Sequence, residues 1–266
     1  MEIAGSRVLL TGATGGLGRA MADRLAASGA VLTVSGRSEQ ALGELAGELP
    51  GDGHSVIAAD LATPGAAVEL AGKAGEIDVL VANAALPSTG RLDDLTAEQV
   101  SRMLRINLES PILLSQALLP GMLERRRGSL VLIGSLAGKI GSPRSSIYNA
   151  TKFGLRGFAF GLKADLAGTG VGVSLVAPGF VRDAGMFAES GASAPAGLGT
   201  TSPQEVAEAV GKAIEGDQME IAVAPAVQKW IAHIGSVSPG LAYLAQKGQA
   251  GQKAASEVAA GQVHKR

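Results

Sequence analysis

The chain has 266 residues, 46% of them hydrophobic but only 3% aromatic, with 38 glycines, no cysteine and a formal net charge of -1. One α/β sheet with its flanking helices can close a core at this length, and a core poor in rings must be built from Val, Leu, Ile and Ala. The balanced charge gives no footprint for nucleic acid or an anionic membrane, the missing cysteines exclude disulfides and thiolate chemistry, and His54, His233 and His264 lack metal-ligand spacing, so no metal is expected.

At the N-terminus, MEIAGSRVLL leads into a strand pattern with no basic, apolar leader, and no run of 18 apolar residues follows, so a cytoplasmic protein is expected. Short apolar runs recur at residues 7–10, 30–35, 55–60, 78–83, 129–135, 172–178 and 220–225, with helix-like stretches between them. They are continuous rather than alternating, as in parallel strands covered on both faces. Segment 18–28 begins after Gly18 and stops before Gly29, and segment 38–49 opens on Ser38 and meets Pro50. This pattern predicts an α/β fold: one doubly wound parallel sheet of about seven strands with helices on both faces, over residues 1–247. Ligands of such a sheet lie beyond the carboxyl ends of the strands.

The first run feeds TGATGGLG, residues 11–18, and then a helix. Gly12, Gly15, Gly16 and Gly18, with Thr14 and Leu17 among them, suit a turn of unusual dihedrals whose backbone approaches a pyrophosphate and whose helix amides face its charge. The second run ends VSGRS. An acidic residue there accepts from a ribose 2′-hydroxyl, whereas arginine pairs with a 2′-phosphate. Arg37 thus points to NADP(H) as the preferred cofactor and NAD(H) as the alternative, unless it is only a solvated charge at a helix start. Asp60, after the third run, is placed to cap the next helix.

Further on, LRINLESPILLSQ contains Pro111, which has no amide hydrogen and crowds the carbonyl four residues back, that of Asn107. The segment GSLAGKIGSPRSSIYNATK puts Ser135 at a strand end, and Tyr148 and Lys152 four residues apart on one helix face. Reduction of a carbonyl needs a hydride and a proton for the developing alkoxide, which a phenol can deliver. A nearby ammonium, together with a positive nicotinamide ring, favours the phenolate, and a serine hydroxyl polarises the substrate oxygen.

Over residues 5–225 these motifs resemble the compact, single-domain branch of the short-chain dehydrogenase/reductase family. Gly12, Gly16 and Gly18 match its TGxxxGxG, although Gly12, Gly15 and Gly18 equally match the TGxxGxxG of the extended branch with its sugar-nucleotide epimerases. The chain is short for that branch's usual substrate domain, and the 13-residue interval from Ser135 to Tyr148 is the family's spacing. The resemblance implies a Rossmann-type fold and a catalytic set of Asn107, Ser135, Tyr148 and Lys152. Lys152 would tune Tyr148 and hold the nicotinamide ribose, and the Asn107 carbonyl would hold a water linked to the lysine. It also implies cofactor contacts at Asp60 and Leu61 beside the adenine, at Asn83 and Ala84 of VANAA, at Tyr148 and Lys152, and at Pro178, Gly179 and Val181 of APGFVRD. Ala82, Ala85 and Asp183 depart from the family's Asn, Gly and Thr, and Asp183 would repel a cofactor phosphate. A homodimer or homotetramer through residues 96–123 and 148–167 is implied in the same way.

The expected function is NADP(H)-dependent interconversion of a carbonyl and an alcohol. Its rivals are an NADP(H)-binding redox sensor or scaffold without turnover and an extended-type epimerase or dehydratase. Residues 183–202, with Met186 and Phe187, are expected to close over the substrate, which suits a lipophilic carbonyl. AVQKWIAHIGSVSPGLAYLAQKG is interrupted by Gly235 and Pro239, and packing on the domain or a neighbouring subunit is favoured there over membrane contact. Residues 248–266 are expected to be a disordered tail.

Overall fold

The computed structural model describes residues 1–87, 90–191, 194, 197–246, 256 and 260–262. The chain alternates strands and helices as β1 (Arg7–Thr11), α1 (Gly16–Ala27), β2 (Val31–Gly36), α2 (Glu39–Glu48), β3 (Ser55–Ala58), α3 (Ala66–Ala74) and β4 (Val79–Ala82). After a longer connection come α4 (Ala97–Leu104), α5 (Ser110–Glu124), β5 (Gly128–Ile133), α6 (Ser146–Asp165) and β6 (Val171–Pro178). The chain continues through α7 (Gly185–Glu189), α8 (Pro203–Gly216), β7 (Glu220–Val223), α9 (Ala226–Val237) and α10 (Pro239–Gln246).

All seven strands are parallel, in the order β3-β2-β1-β4-β5-β6-β7. The side chains of β1, β4, β5 and β6 alternate between two cores, which explains why their apolar runs are continuous. Val8, Leu10, Val34, Val81, Val131 and Val176 pack with α1, α2 and α8 on one face. Leu9, Leu80, Leu130, Leu132 and Leu175 pack with α3, α5 and α6 on the other. Winding reverses between β1 and β4, and that reversal opens a crevice at the carboxyl edge of the sheet.

Local signals act where the sequence places them. Ser38 caps α2 by accepting from the Ala41 amide at 3.3 Å, and Gly29 takes φ +83° just past α1. Between α4 and α5 the helix widens into a π segment, Arg105–Glu109, in which the Ser110 amide bonds the Arg105 carbonyl five residues back. Pro111, which cannot donate, sits immediately after this widening. Among the described residues no helix is long and apolar enough to cross a membrane. No group of three or more His, Cys, Asp or Glu side chains there could hold a metal ion.

Candidate active site

At the crevice, the loop from β1 to α1 is built on glycine because of what surrounds it. Gly12 has φ +65°, and a Cβ there would lie 2.9 Å from the Ala84 Cα. A Cβ at Gly18 would lie 2.1 Å from the Gly12 carbonyl oxygen, and one at Gly16 would lie 2.4 Å from the Ala184 Cβ. Gly15 meets only an ordinary contact at 3.5 Å, so the positions sterically confined to glycine are 12, 16 and 18. No side chain caps α1 and its first turn holds no acidic residue, which leaves its N-terminal amides suited to an anion.

This loop opens onto a cavity of about 560 Å³. Of the expected cofactor contacts, Gly12, Thr14, Gly15, Gly16, Leu17, Gly18, Arg37, Asp60, Leu61, Asn83 and Ala84 all line it. Arg37 is exposed at its edge, and no ion pair among the described residues engages it. Asp60 is turned partly to its own backbone, its Oδ1 accepting from the Ala62 amide at 3.0 Å. Asn83 serves the loop itself: its Nδ2 donates to the Thr11 and Gly12 carbonyls, each at 3.1 Å. The Thr11 hydroxyl, missed in the sequence, accepts the amides of both Asn83 and Ala84 at 3.1 Å. Pro178 and Val181 are buried at the end of β6 and just after it, outside this cavity, so the structure does not bring them to the other cofactor residues. Asp183 takes φ +65° and pairs with Arg182 at 3.3 Å.

A second cavity of about 300 Å³ shares the walls Pro87 and Met186 with the first. Its lining is mostly apolar, with Leu136, Ile140, Phe180, Phe187, Leu198 and Ile231, and among the described residues it holds no charged side chain. Ser135, Tyr148 and Gly179 face it. Ser135 begins a short turn, Leu136–Gly138, after β5, and its Oγ accepts from the Ala137 amide at 3.1 Å. Tyr148 and Lys152 project from the first turns of α6, and Asn149 ties that helix to the serine's turn by donating to the carbonyls of Ala137 at 2.7 Å and Ile140 at 3.0 Å.

Burial pushes the Tyr148 phenol above its ordinary pKa, while the nearby Ser135 side chain acts the other way. The Lys152 ammonium, desolvated on α6, is pulled down to about 8. It donates to the Ile133 carbonyl at 2.9 Å and lies 5.7 Å from the Tyr148 ring centroid. The sequence leads one to expect a lysine that favours phenolate; burial acts in the opposite direction and favours the phenol. Asn107 is buried in the π segment, where its Oδ1 accepts from the Leu86 amide at 2.7 Å and its Nδ2 donates to the Leu86 carbonyl at 2.9 Å. The helix bulge is thereby pinned to the loop after β4.

Two cavity residues come from parts of the chain with no motif. Gln228 of α9 accepts from the Phe180 amide at 3.2 Å and donates to the Leu198 and Gly199 carbonyls at 3.2 and 2.8 Å. Gln262 donates to the Met186 carbonyl at 2.8 Å and is 3% exposed, so at this residue the tail is packed rather than loose. The rest of the expected disordered tail, apart from 256, 260 and 261, lies outside the described residues, as do 192, 193, 195 and 196 of the expected substrate loop.

The family model described as short chain dehydrogenase matches residues 6–194. Ketoacyl reductase HetN of Nostoc sp. is 34% identical over 248 residues, covering 89% of this chain and 86% of that protein. Dehydrogenase/reductase SDR family member 7B of Mus musculus is 37% identical over 185 residues, 66% of this chain but only 57% of that longer protein. The solved short-chain dehydrogenase from Sphingobium yanoikuyae, in complex with NADPH, matches with a TM-score of 0.78 at 25% identity, covering 89% of this chain and 95% of that one. The chain therefore belongs to the short-chain dehydrogenase/reductase family. It is an oxidoreductase with the nicotinamide-binding fold of that family.

Proposed function

We propose that this protein is an NADP(H)-dependent reductase of uncharged, lipophilic carbonyl compounds, with Tyr148 as its acid/base. The observation that carries this reading is that Ser135 and Tyr148 together line the wall of an apolar cavity that adjoins the glycine-loop groove. The groove fits a dinucleotide: three glycines let the loop pack closely on Ala84, Ala184 and its own backbone, the uncapped start of α1 lines it, and Arg37 stands at its edge to pair with a 2′-phosphate. A solved relative of similar fold is in complex with NADPH.

The bound cofactor would supply the hydride. The Ser135 hydroxyl holds the substrate carbonyl oxygen, and Tyr148, its phenol kept protonated by burial, gives that oxygen its proton as negative charge develops. The Lys152 ammonium orients the nicotinamide ribose and steadies the phenolate left behind. Asn107, in the bulge packed on α6, would hold through its backbone carbonyl a water that links Lys152 to solvent and reloads the proton. Among the described residues the lining has no charged side chain to pair with a carboxylate or phosphate on the substrate, which favours neutral apolar carbonyls.

A panel of neutral lipophilic ketones and charged keto acids, read by NADPH oxidation, tests the proposal. Turnover should be confined to the neutral members. Tight NADPH binding with no turnover of any member would instead favour the binding-only reading.

A further inference from the structure

Helix α9 is inside out. Its large apolar residues Val227, Trp230, Ile231, Ile234 and Val237 are 42–74% exposed, whereas Gln228, Ala232 and Gly235 are the positions buried against the domain. The outward residues recur at helical spacing and form one stripe, which α10 extends with Leu241. The orientation is locked. A Cβ at Gly235 would lie 2.9 Å from the Ile140 Cβ, so the helix backbone is seated directly on that side chain, and the three Gln228 hydrogen bonds fix its other end. Rotation to hide the stripe would break both anchors.

Charge distinguishes what this face can meet. The chain's net charge of -1 conceals an asymmetry: residues 221–246 contain Lys229 and His233 but no Asp or Glu. Lys229 and His233 are exposed on α9 beside the apolar stripe, and the His233 ring meets Trp230 edge-on at 6.2 Å. An apolar stripe with an exposed tryptophan, a lysine beside it and no acidic residue on its own two helices matches the interfacial layer of an anionic bilayer. Ile231 belongs to the exposed stripe and also to the wall of the 300 Å³ cavity, so the stripe borders the cavity's mouth.

We propose that the outward face of α9 and α10 docks peripherally on an anionic lipid bilayer and turns the mouth of the apolar cavity toward it. Lipophilic carbonyl compounds dissolved in the bilayer then reach Tyr148 without crossing water. The delivery step rests on the substrate reading above; the docking does not. Self-association is expected on α4–α6, another part of the surface, and leaves this face available.

Trp230 is the chain's single tryptophan, so its fluorescence reports on this face alone. The full-length protein is titrated with phosphatidylcholine vesicles with and without phosphatidylglycerol, and emission and co-sedimentation are followed. The proposal predicts a blue shift and pelleting with the anionic vesicles. The double variant Ile234→Glu/Val237→Glu should lower the partition coefficient roughly tenfold or more, with Tm and turnover of a short water-soluble ketone unchanged. Emission that no vesicle alters would overturn the docking. So would a blue shift that appears without vesicles and grows with protein concentration, which would make the face an interface between copies. Docking without turnover of lipophilic ketones would overturn the delivery step and the substrate reading while upholding the surface.

Discussion

The carboxylate of Glu220, at the start of β7, pairs with the Lys139 ammonium at 2.6 Å. It also takes Arg156 of α6 at 3.0 Å. Lys139 follows the turn that Ser135 begins, and Arg156 lies one helical turn beyond Lys152, so one carboxylate braces the serine's turn against the tyrosine's helix. All three groups are largely enclosed, and a neutral amide would weaken both charge-assisted bonds. Glu220→Gln should cost about 1–3 kcal/mol in urea unfolding. Its kcat should fall severalfold as the serine hydroxyl loses its fixed position. Unchanged unfolding and kcat would show the brace to be idle.

Lys152 sets function against stability. Burial lowers its folded pKa to about 8, below the unfolded value, so the buried charge is a cost that is fully present below pH 8. The cost shrinks as pH rises, because between the two values the unfolded chain holds the proton that the folded one has released. Lys152→Met should therefore unfold at higher denaturant than the parent at neutral pH, by about 3 kcal/mol at most, and lose nearly all turnover. Its advantage should fade as the pH is raised toward the ordinary lysine value. A variant less stable than the parent at pH 7 would contradict this balance.

Cofactor choice is assigned to Arg37 at the edge of the groove. Arg37→Asp should weaken NADPH binding about tenfold or more, as expected for loss of a charged hydrogen-bonded pair of roughly 1.5–3 kcal/mol. NADH binding should hold or improve. An NADPH/NADH affinity ratio equal to the parent's would make Arg37 a bystander.

The central strands were legible because they are covered on both faces and so read as short apolar runs, and the single doubly wound sheet follows from the alternation of strands with helices. The glycine loop, Ser135, Tyr148 and Lys152 stood out because chemistry and backbone geometry confine the residue types there. Other features carry no local mark. Thr11 looks like any β-branched strand residue, yet its hydroxyl accepts two amides that hold the glycine loop. Gln228 and Gln262 reach the cavity from far along the chain, through bonds that no spacing encodes. The apolar period of α9 is the same whether the stripe faces in or out, and only its seat on Ile140 decides which. The raised pKa of Tyr148 depends on how deeply α6 is covered, a property of the assembled domain.

The most direct test of the account is Tyr148→Phe, which removes one hydroxyl and leaves the ring, the Ser135 turn and the groove in place. NADPH affinity should stay within about twofold of the parent's, while carbonyl reduction falls by at least the ~10²–10⁴-fold that general acid catalysis supplies. Because the buried phenol stays protonated through the neutral range, parent reduction rates should be flat there and decline only at alkaline pH. A Tyr148→Phe protein that reduces ketones at the parent's rate would contradict the assignment of the proton to Tyr148.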